Sequence, residues 1–261
     1  MTDSLLLSRD GDVAILTMNR PQAMNALDTE LKESLLRALV DVRDDNSVRA
    51  ILLTATGRGF CVGQDLHEHA AALESADGAP LSTVRQHYNP ICTALIEMPK
   101  PVIAAVNGMA AGAGAGLAYA CDFRMCAESG GFLMAFARIG LTADTGISWT
   151  LPRLIGHARA TALLMLAEPV TSAQALEMGM VTAVVPDDRL EAASLELANR
   201  LAAGPTAAYA AIKQALAIGS ATLAEALETE AVLQNRMGET ADHRAATAAF
   251  LAKEPATFTG H

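Results

Sequence analysis

The spacing of apolar positions changes several times along the 261-residue chain. Asp12 to Met18 (Asp-Val-Ala-Ile-Leu-Thr-Met) is an apolar, β-branched run ended by Asn19-Arg20-Pro21, which predicts a strand. Leu31, Leu35, Leu39 and Val42 then recur at helical spacing behind Asp28, a residue suited to cap the helix they define. Val48–Thr54 reads as a buried strand closed by Gly57-Arg58-Gly59. The stretch Glu68–Pro80 reads as a surface loop or frayed helix, and Val84–Met98 as a helix stopped by Pro99 and Pro101.

Further along come a strand at Val102–Val106, a Gly/Ala-rich helix, a short strand near Asp122–Cys126, and helices around Trp149–Ile155 and His157–Leu166. Thr171 with Gln174, and Thr222 with Glu225, have the spacing of capping boxes. A short strand at Val181–Val185 lies between them, and almost everything after it is helical. Alternating strands and helices followed by an all-helical end predict an α/β core with a C-terminal helical part. That end carries apolar faces such as Leu223, Leu227 and Ala231 with few strands nearby to cover them, so burial against a second subunit is expected. One segment imitates a membrane helix: Pro101–Cys121 is nearly free of polar side chains, with Gly108, Gly112 and Gly116 four residues apart. The β-branched start at Val102 and Ile103 and the turn signal Asn107-Gly108 fit a buried strand, a turn and a buried helix better.

Composition narrows the partners. A 51% hydrophobic content supports one large core, and 18% charged residues spread along the chain argue against long disordered tails. The net charge of −10 disfavours nucleic acid and anionic membrane surfaces. Cys61, Cys92, Cys121 and Cys126 have no disulfide-framework spacing, and Met1-Thr2-Asp3-Ser4 lacks the basic and apolar run of a signal peptide. Reduced thiols and a cytoplasmic location are expected.

Two segments can carry chemistry. One is Gly59-Phe-Cys-Val-Gly-Gln-Asp-Leu66, a turn leaving a buried strand. The other is Asn107-Gly-Met-Ala-Ala-Gly-Ala-Gly-Ala-Gly116, a strand-to-helix turn. Small residues there let a ligand approach unpaired N–H donors, and two such turns on one carbonyl oxygen would form an oxyanion hole. Close helix packing explains the glycines equally well, and the run matches neither a dinucleotide fingerprint nor a P-loop. His67-Glu68-His69 would diverge as metal ligands, so no metal is expected and a solvated face is preferred. Cys61 reads as a small core residue and Ser148 lacks a nucleophile-elbow setting. Arg58 and Lys253 read as surface charges, with the phosphates of a ligand as the alternative partner.

With these segments in hand, the chain resembles the enoyl-CoA hydratase/isomerase (crotonase) family nearly end to end. The resemblance rests on Leu16-Thr-Met-Asn-Arg-Pro21, Asn25-Ala-Leu27, Gly63-x-Asp65-Leu66, Lys100-Pro-Val-Ile-Ala-Ala-Val-Asn-Gly108, Cys121-Asp122 and Phe250-Leu-Ala-Lys253. It implies an α/β spiral of ββα turns over residues 1–200, holding an acyl-CoA site, and a helical oligomerisation region over residues 201–261. It also implies a trimer or dimer of trimers. No separate cofactor is implied, because coenzyme A belongs to the thioester substrate. The match assigns the two oxyanion N–H donors to Gln64 and Ala113; glycine is usual at the second, so the Ala113 methyl narrows the pocket. It assigns coenzyme A contacts to Met24, Asn25, Ala26 and Leu27 and to Gln64, Asp65, Leu66 and His67. The two glutamates of the family's hydratases fall on Gly116 and Phe136, pocket positions that cannot carry a proton.

One carboxylate remains. Asp144, in Gly140-Leu-Thr-Ala-Asp-Thr-Gly146, resembles the catalytic aspartate of the family's dienoyl-CoA and phenylacetate-pathway isomerases, which shift double bonds or rearrange an epoxide thioester. Read without the resemblance, it is a turn or N-cap aspartate for a helix through Trp149. The resemblance makes an isomerase the expected activity. A family enzyme of another reaction type and a non-catalytic acyl-CoA-binding paralogue are the alternatives.

Overall fold

The computed structural model describes residues 3–74, 81–217 and 222–261. A hairpin opens the chain: β1 (Leu5–Asp10) pairs antiparallel with β2 (Val13–Met18) around Gly11, whose φ of 54° suits the tight turn. Helix α1 (Thr29–Asp44) follows, and Asp28 caps it by accepting from the Leu31 N–H at 2.9 Å, an interaction worth about 1 kcal/mol. Its leucines at 31, 35 and 39 and Val42 are buried as their spacing predicts.

Three strand pairs then alternate with helices. β3 (Ala50–Ala55) and β4 (Gly59–Cys61) lead to α2 (Leu66–Glu74) and α3 (Asn89–Ile96). β5 (Val102–Val106) and β6 (Met109–Ala111) lead to α4 (Ala113–Ala120), and β7 (Phe123–Ala127) and β8 (Gly131–Leu133) to α5 (Ile147–Ile155) and α6 (His157–Leu166). The first strand of each pair joins a six-stranded sheet of order β1-β2-β3-β5-β7-β10, and the second joins a four-stranded sheet of order β4-β6-β8-β9. This is the ββα spiral that the resemblance implies. β9 (Val170–Thr171), α7 (Ser172–Met178) and β10 (Ala183–Val185) complete the sheets. α8 (Leu190–Ala202) then covers one face of the larger sheet, over Val13, Leu52 and Ile103, and α9 (Thr206–Ala217), α10 (Leu223–Gly238) and α11 (Ala241–Ala252) form the helical end. Both capping boxes are present, at Thr171 with Gln174 and at Thr222 with Glu225.

Several expectations need correction. β1 was not foreseen, because Leu5-Leu-Leu-Ser-Arg-Asp lacks both alternation and β-branched residues. The predicted helix Val84–Met98 is two pieces. A π-turn at Val84–Tyr88, in which Asn89 N–H reaches the Val84 carbonyl, precedes α3, where Pro90 sits in the first turn that tolerates it. The β4, β6 and β8 strands are three residues long, too short to give a period. Within Glu68–Pro80, residues 68–74 are helical and the rest lies outside the described residues. The strand expected at Val181–Val185 begins at Ala183. No helix among the described residues is long and apolar enough to cross a membrane. Leu216, Leu223, Leu227 and Phe250 on the helical end are exposed.

Candidate active site

The site begins where the small sheet ends. The turn after β4 and the turn after β6 lie backbone to backbone: a Cβ added at Gly63 would stand 3.0 Å from the Ala111 carbonyl oxygen and 3.3 Å from the Ala113 nitrogen. A Cβ at Gly114 would stand 2.0 Å from the Cys61 carbonyl oxygen, and one at Gly108 2.1 Å from that of Arg58. The glycines are therefore packing residues, and the packing is what brings two N–H groups together. Gly112, at φ 51° and ψ −125°, turns the chain so that Ala113 starts α4. Neither the Gln64 N–H nor the Ala113 N–H has a hydrogen-bond partner among the described residues. The packing reading holds, and the same arrangement leaves both N–H groups open to a ligand.

Both donors line a cavity of about 550 Å³. Its walls are largely apolar, from Val62, Leu66, Leu81, Phe136, Ile139 and Leu141, with Tyr88 and Asp144 among the polar groups. The Gln64 side chain is held at its Oε1 by the Tyr88 hydroxyl, with the Lys32 ammonium 3.5 Å away. Lys32 is itself buried, 2.9 Å from Thr83 Oγ1 and 3.4 Å from Glu68 Oε2. Sequence reading missed Lys32 and Tyr88. The available signal was a lysine on the apolar stripe of α1, three positions before Leu35.

Two carboxylates line the cavity, and they differ in what they already do. Asp65 accepts from the N–H groups of His67 and Glu68 and pairs with the Arg20 guanidinium at 3.0 Å. Burial pushes its carboxyl up, but these donors outweigh burial and hold it below the ordinary carboxylate range. Asp144 has one side-chain donor, the Thr145 hydroxyl. Burial raises its carboxyl above the ordinary range, against that hydroxyl. The N-cap position of α5 belongs to Gly146 and not to Asp144, whose backbone carbonyl takes the Ile147 N–H at 3.0 Å. Asp144 also borders a second cavity of about 340 Å³, together with Leu81 and Leu141.

The other expected site residues separate into lining and support. Ala26, Leu66 and His67 line the larger cavity with Gln64 and Asp65. Met24, Asn25 and Leu27 do not. Asn25 is fully buried and donates to the Thr56 and Gly59 carbonyls, Leu27 is fully buried, and Met24 packs against Gly59. They shape the turn that presents Ala26. His67, exposed, and His69, half-buried, line the rim of the cavity, while Glu68 pairs with Lys32 and takes the Thr29 N–H. Phe136 lines the cavity beside Gly112. Gly116 does not reach it, because Thr145 fills the space in front of Gly116. Cys61 is a fully buried core thiol, pushed up to about 12 by burial.

The enoyl-CoA hydratase/isomerase family model matches residues 8–261. The chain belongs to that family. A Rhodobacter capsulatus protein named as a probable enoyl-CoA hydratase is 45% identical, covering 95% of each chain. The 1,2-epoxyphenylacetyl-CoA isomerase of Escherichia coli is 41% identical over the whole of both. A crystal structure of an enoyl-CoA hydratase from Bacillus anthracis superposes with a TM-score of 0.90 at 30% identity, covering 99% of this chain and 100% of that one. Relatives named for hydration and for isomerisation thus share the whole fold, and the reaction must be argued from the cavity.

Proposed function

We propose that the protein is an acyl-CoA isomerase that moves a double bond, or rearranges an epoxide, through a thioester enolate. The carrying observation is that Asp144 is the one cavity carboxylate, among the described residues, not already paired with a cation. In this reading the thioester oxygen lies between the N–H groups of Gln64 and Ala113, near the positive N-terminus of α4. An α- or γ-proton passes to Asp144, charge moves onto the oxygen, and the same carboxyl returns the proton to another carbon. Apolar walls keep water away, and burial of Asp144 brings its proton affinity nearer to working pH. Phe136 and the filled space over Gly116 leave both positions of the hydratase glutamates without a carboxylate to activate water, and the other cavity carboxylate, Asp65, is held by Arg20. Ala26, on the turn that Met24, Asn25 and Leu27 support, and Gln64–His67 form the coenzyme A side of the same reading, and phenylacetate or fatty-acid breakdown its metabolic setting.

The test is incubation with a 3-enoyl-CoA in deuterated water. Isomerisation leaves the product mass unchanged apart from deuterium gained at exchanging carbons, whereas hydration adds one water. Asp144→Asn is expected to lower turnover by roughly 10²–10⁴-fold while acyl-CoA binding persists. Full turnover in that variant, or a hydrated product from the parent, rejects the isomerase. Binding without any proton exchange identifies a non-catalytic acyl-CoA binder. The exposed apolar residues on α9, α10 and α11 belong to the same proposal as contacts between copies in a trimer or dimer of trimers. A monomer by light scattering at micromolar concentration rejects that part.

A further inference from the structure

Thr145 holds a backbone conformation that its side chain disfavours. Its φ of 53° lies in the left-handed region, where a β-branched residue crowds its own backbone and glycine or asparagine is the usual occupant. The residue is 1% exposed, so it is a packed position and not a tolerant surface turn. Strain of this kind persists only where the surroundings over-determine it. Three contacts do so. The hydroxyl donates to Asp144 Oδ1, the carbonyl accepts from the Cys92 thiol at 3.3 Å, and the side chain covers Gly116. A Cβ added at Gly116 would come within 2.5 Å of the Thr145 Cβ and 2.9 Å of both its Cγ2 and its carbonyl oxygen. Any side chain at 116 and a threonine at 145 therefore exclude each other.

We infer that Thr145 is a positioning residue: its hydroxyl fixes one oxygen of Asp144, the only side-chain donor to that carboxyl among the described residues, and its Cβ seals the space over Gly116 against a second carboxylate. The inference rests on Asp144 being the acid/base. It makes the threonine part of the choice of reaction, since the same side chain orients the one proton carrier and removes room for another. A hydroxyl donor also favours the carboxylate form, opposing burial, so its loss should raise the Asp144 titration further. Tyr88 on the π-turn and Cys92 on α3 are the titratable groups coupled to Asp144 from neighbouring elements, and burial keeps both protonated. Asp65, His67 and His69 line the same cavity, so the titration must be read at the Asp144 carboxyl itself rather than inferred from rates.

Full-length protein carrying γ-carbon-13 aspartate supplies that readout, with Asp144→Asn assigning the resonance. Thr145→Val is expected to raise the Asp144 midpoint and to lower kcat by about 10²-fold, with KM changed far less. Thr145→Ser should restore both. Thr145→Gly should relieve the backbone, remain at least as resistant to urea as the parent, and still show the raised midpoint and low kcat. An unmoved midpoint in both Thr145→Val and Thr145→Gly overturns the inference, as does full activity in the glycine variant. The Asp144 assignment fails separately: Asp144→Asn would then stay active, whatever the Thr145 variants do to the resonance. If Thr145→Val does not fold, the glycine and serine variants carry the test alone.

Discussion

The two walls of the cavity are made in opposite ways. The donor wall is backbone, locked by contacts in which one turn's glycine meets the other turn's carbonyl: Gly63 on Ala111, Gly108 on Arg58, Gly114 on Cys61. The wall that bears Asp144, the proton wall of the proposed function, is a loop. Gly140 and Gly146, on either side of Asp144, have left-handed φ values of 72° and 71° and open space where a Cβ would stand. The first wall depends on no side-chain functional group, so alanine at 113 keeps the donor. The second depends on one carboxylate and one hydroxyl. Proteins sharing this spiral can keep the first wall and change chemistry at the second, consistent with relatives named for both hydration and isomerisation.

The largest effect that would test this contrast comes from the locked wall. Gly114→Ala puts a methyl 2.0 Å from the Cys61 carbonyl, with backbone on both sides and no flexible side chain to yield. Destabilisation at or above the top of the overpacking range of about 1–3 kcal/mol is expected, measured as the urea midpoint. Gly140→Ala should also destabilise, but only by the cost of its left-handed φ, about 1–2 kcal/mol. Equal losses in the two variants would break the distinction between a locked and an open wall.

The same contrast decides what could be read before the fold was known. Strands and helices with several turns of period, such as β2, β3, β5 and α1, were legible from spacing alone. The donor wall was half legible: the glycines at 63, 112 and 114 stood out, but packing and catalysis could not be told apart from the chain. The resemblance assigns the donors to Gln64 and Ala113, and the contacts show only that the two turns pack backbone to backbone. Strands of three residues carry no period, so the small sheet that ends in the site was not legible. Nor was the network of Lys32, Tyr88 and Gln64, whose members are up to 56 positions apart. Asp144 needed a matched loop, and Thr145 needed a φ angle, which no composition reports.

An intermediate effect probes the place where the walls touch. Gly116 lies on α4 behind the donors, and Thr145 belongs to the proton loop. Gly116→Ala should destabilise by about 1–3 kcal/mol, since the Thr145 Cβ would be 2.5 Å away. In a Thr145→Gly background the same change should cost far less, giving a favourable coupling above 0.5 kcal/mol between the two sites by double-mutant cycle. Additive losses would mean that the alanine is resisted by backbone alone and that the loop is not what keeps position 116 empty.

The smallest effect concerns charge at the proton wall. Burial raises the Asp144 carboxyl above its ordinary value of 3.8, so the folded state binds that proton more tightly than the unfolded chain does. Below 3.8 the group is protonated in both states and contributes no penalty. As pH rises through 3.8 towards the folded value, the unfolded chain ionises first and stability falls by the cost of holding or burying the charge. Asp144→Asn removes that cost while keeping the shape. Its urea midpoint should therefore exceed the parent's at neutrality, and the excess should shrink as the pH is lowered past 3.8. On the donor wall no such gain is expected, because its carboxylate, Asp65, is held below the ordinary range by Arg20 and by the His67 and Glu68 N–H groups and would lose those partners on neutralisation. If Asp144→Asn is instead less stable at neutrality, the carboxylate is a structural anchor of its loop, and the two walls are alike in being built for stability first.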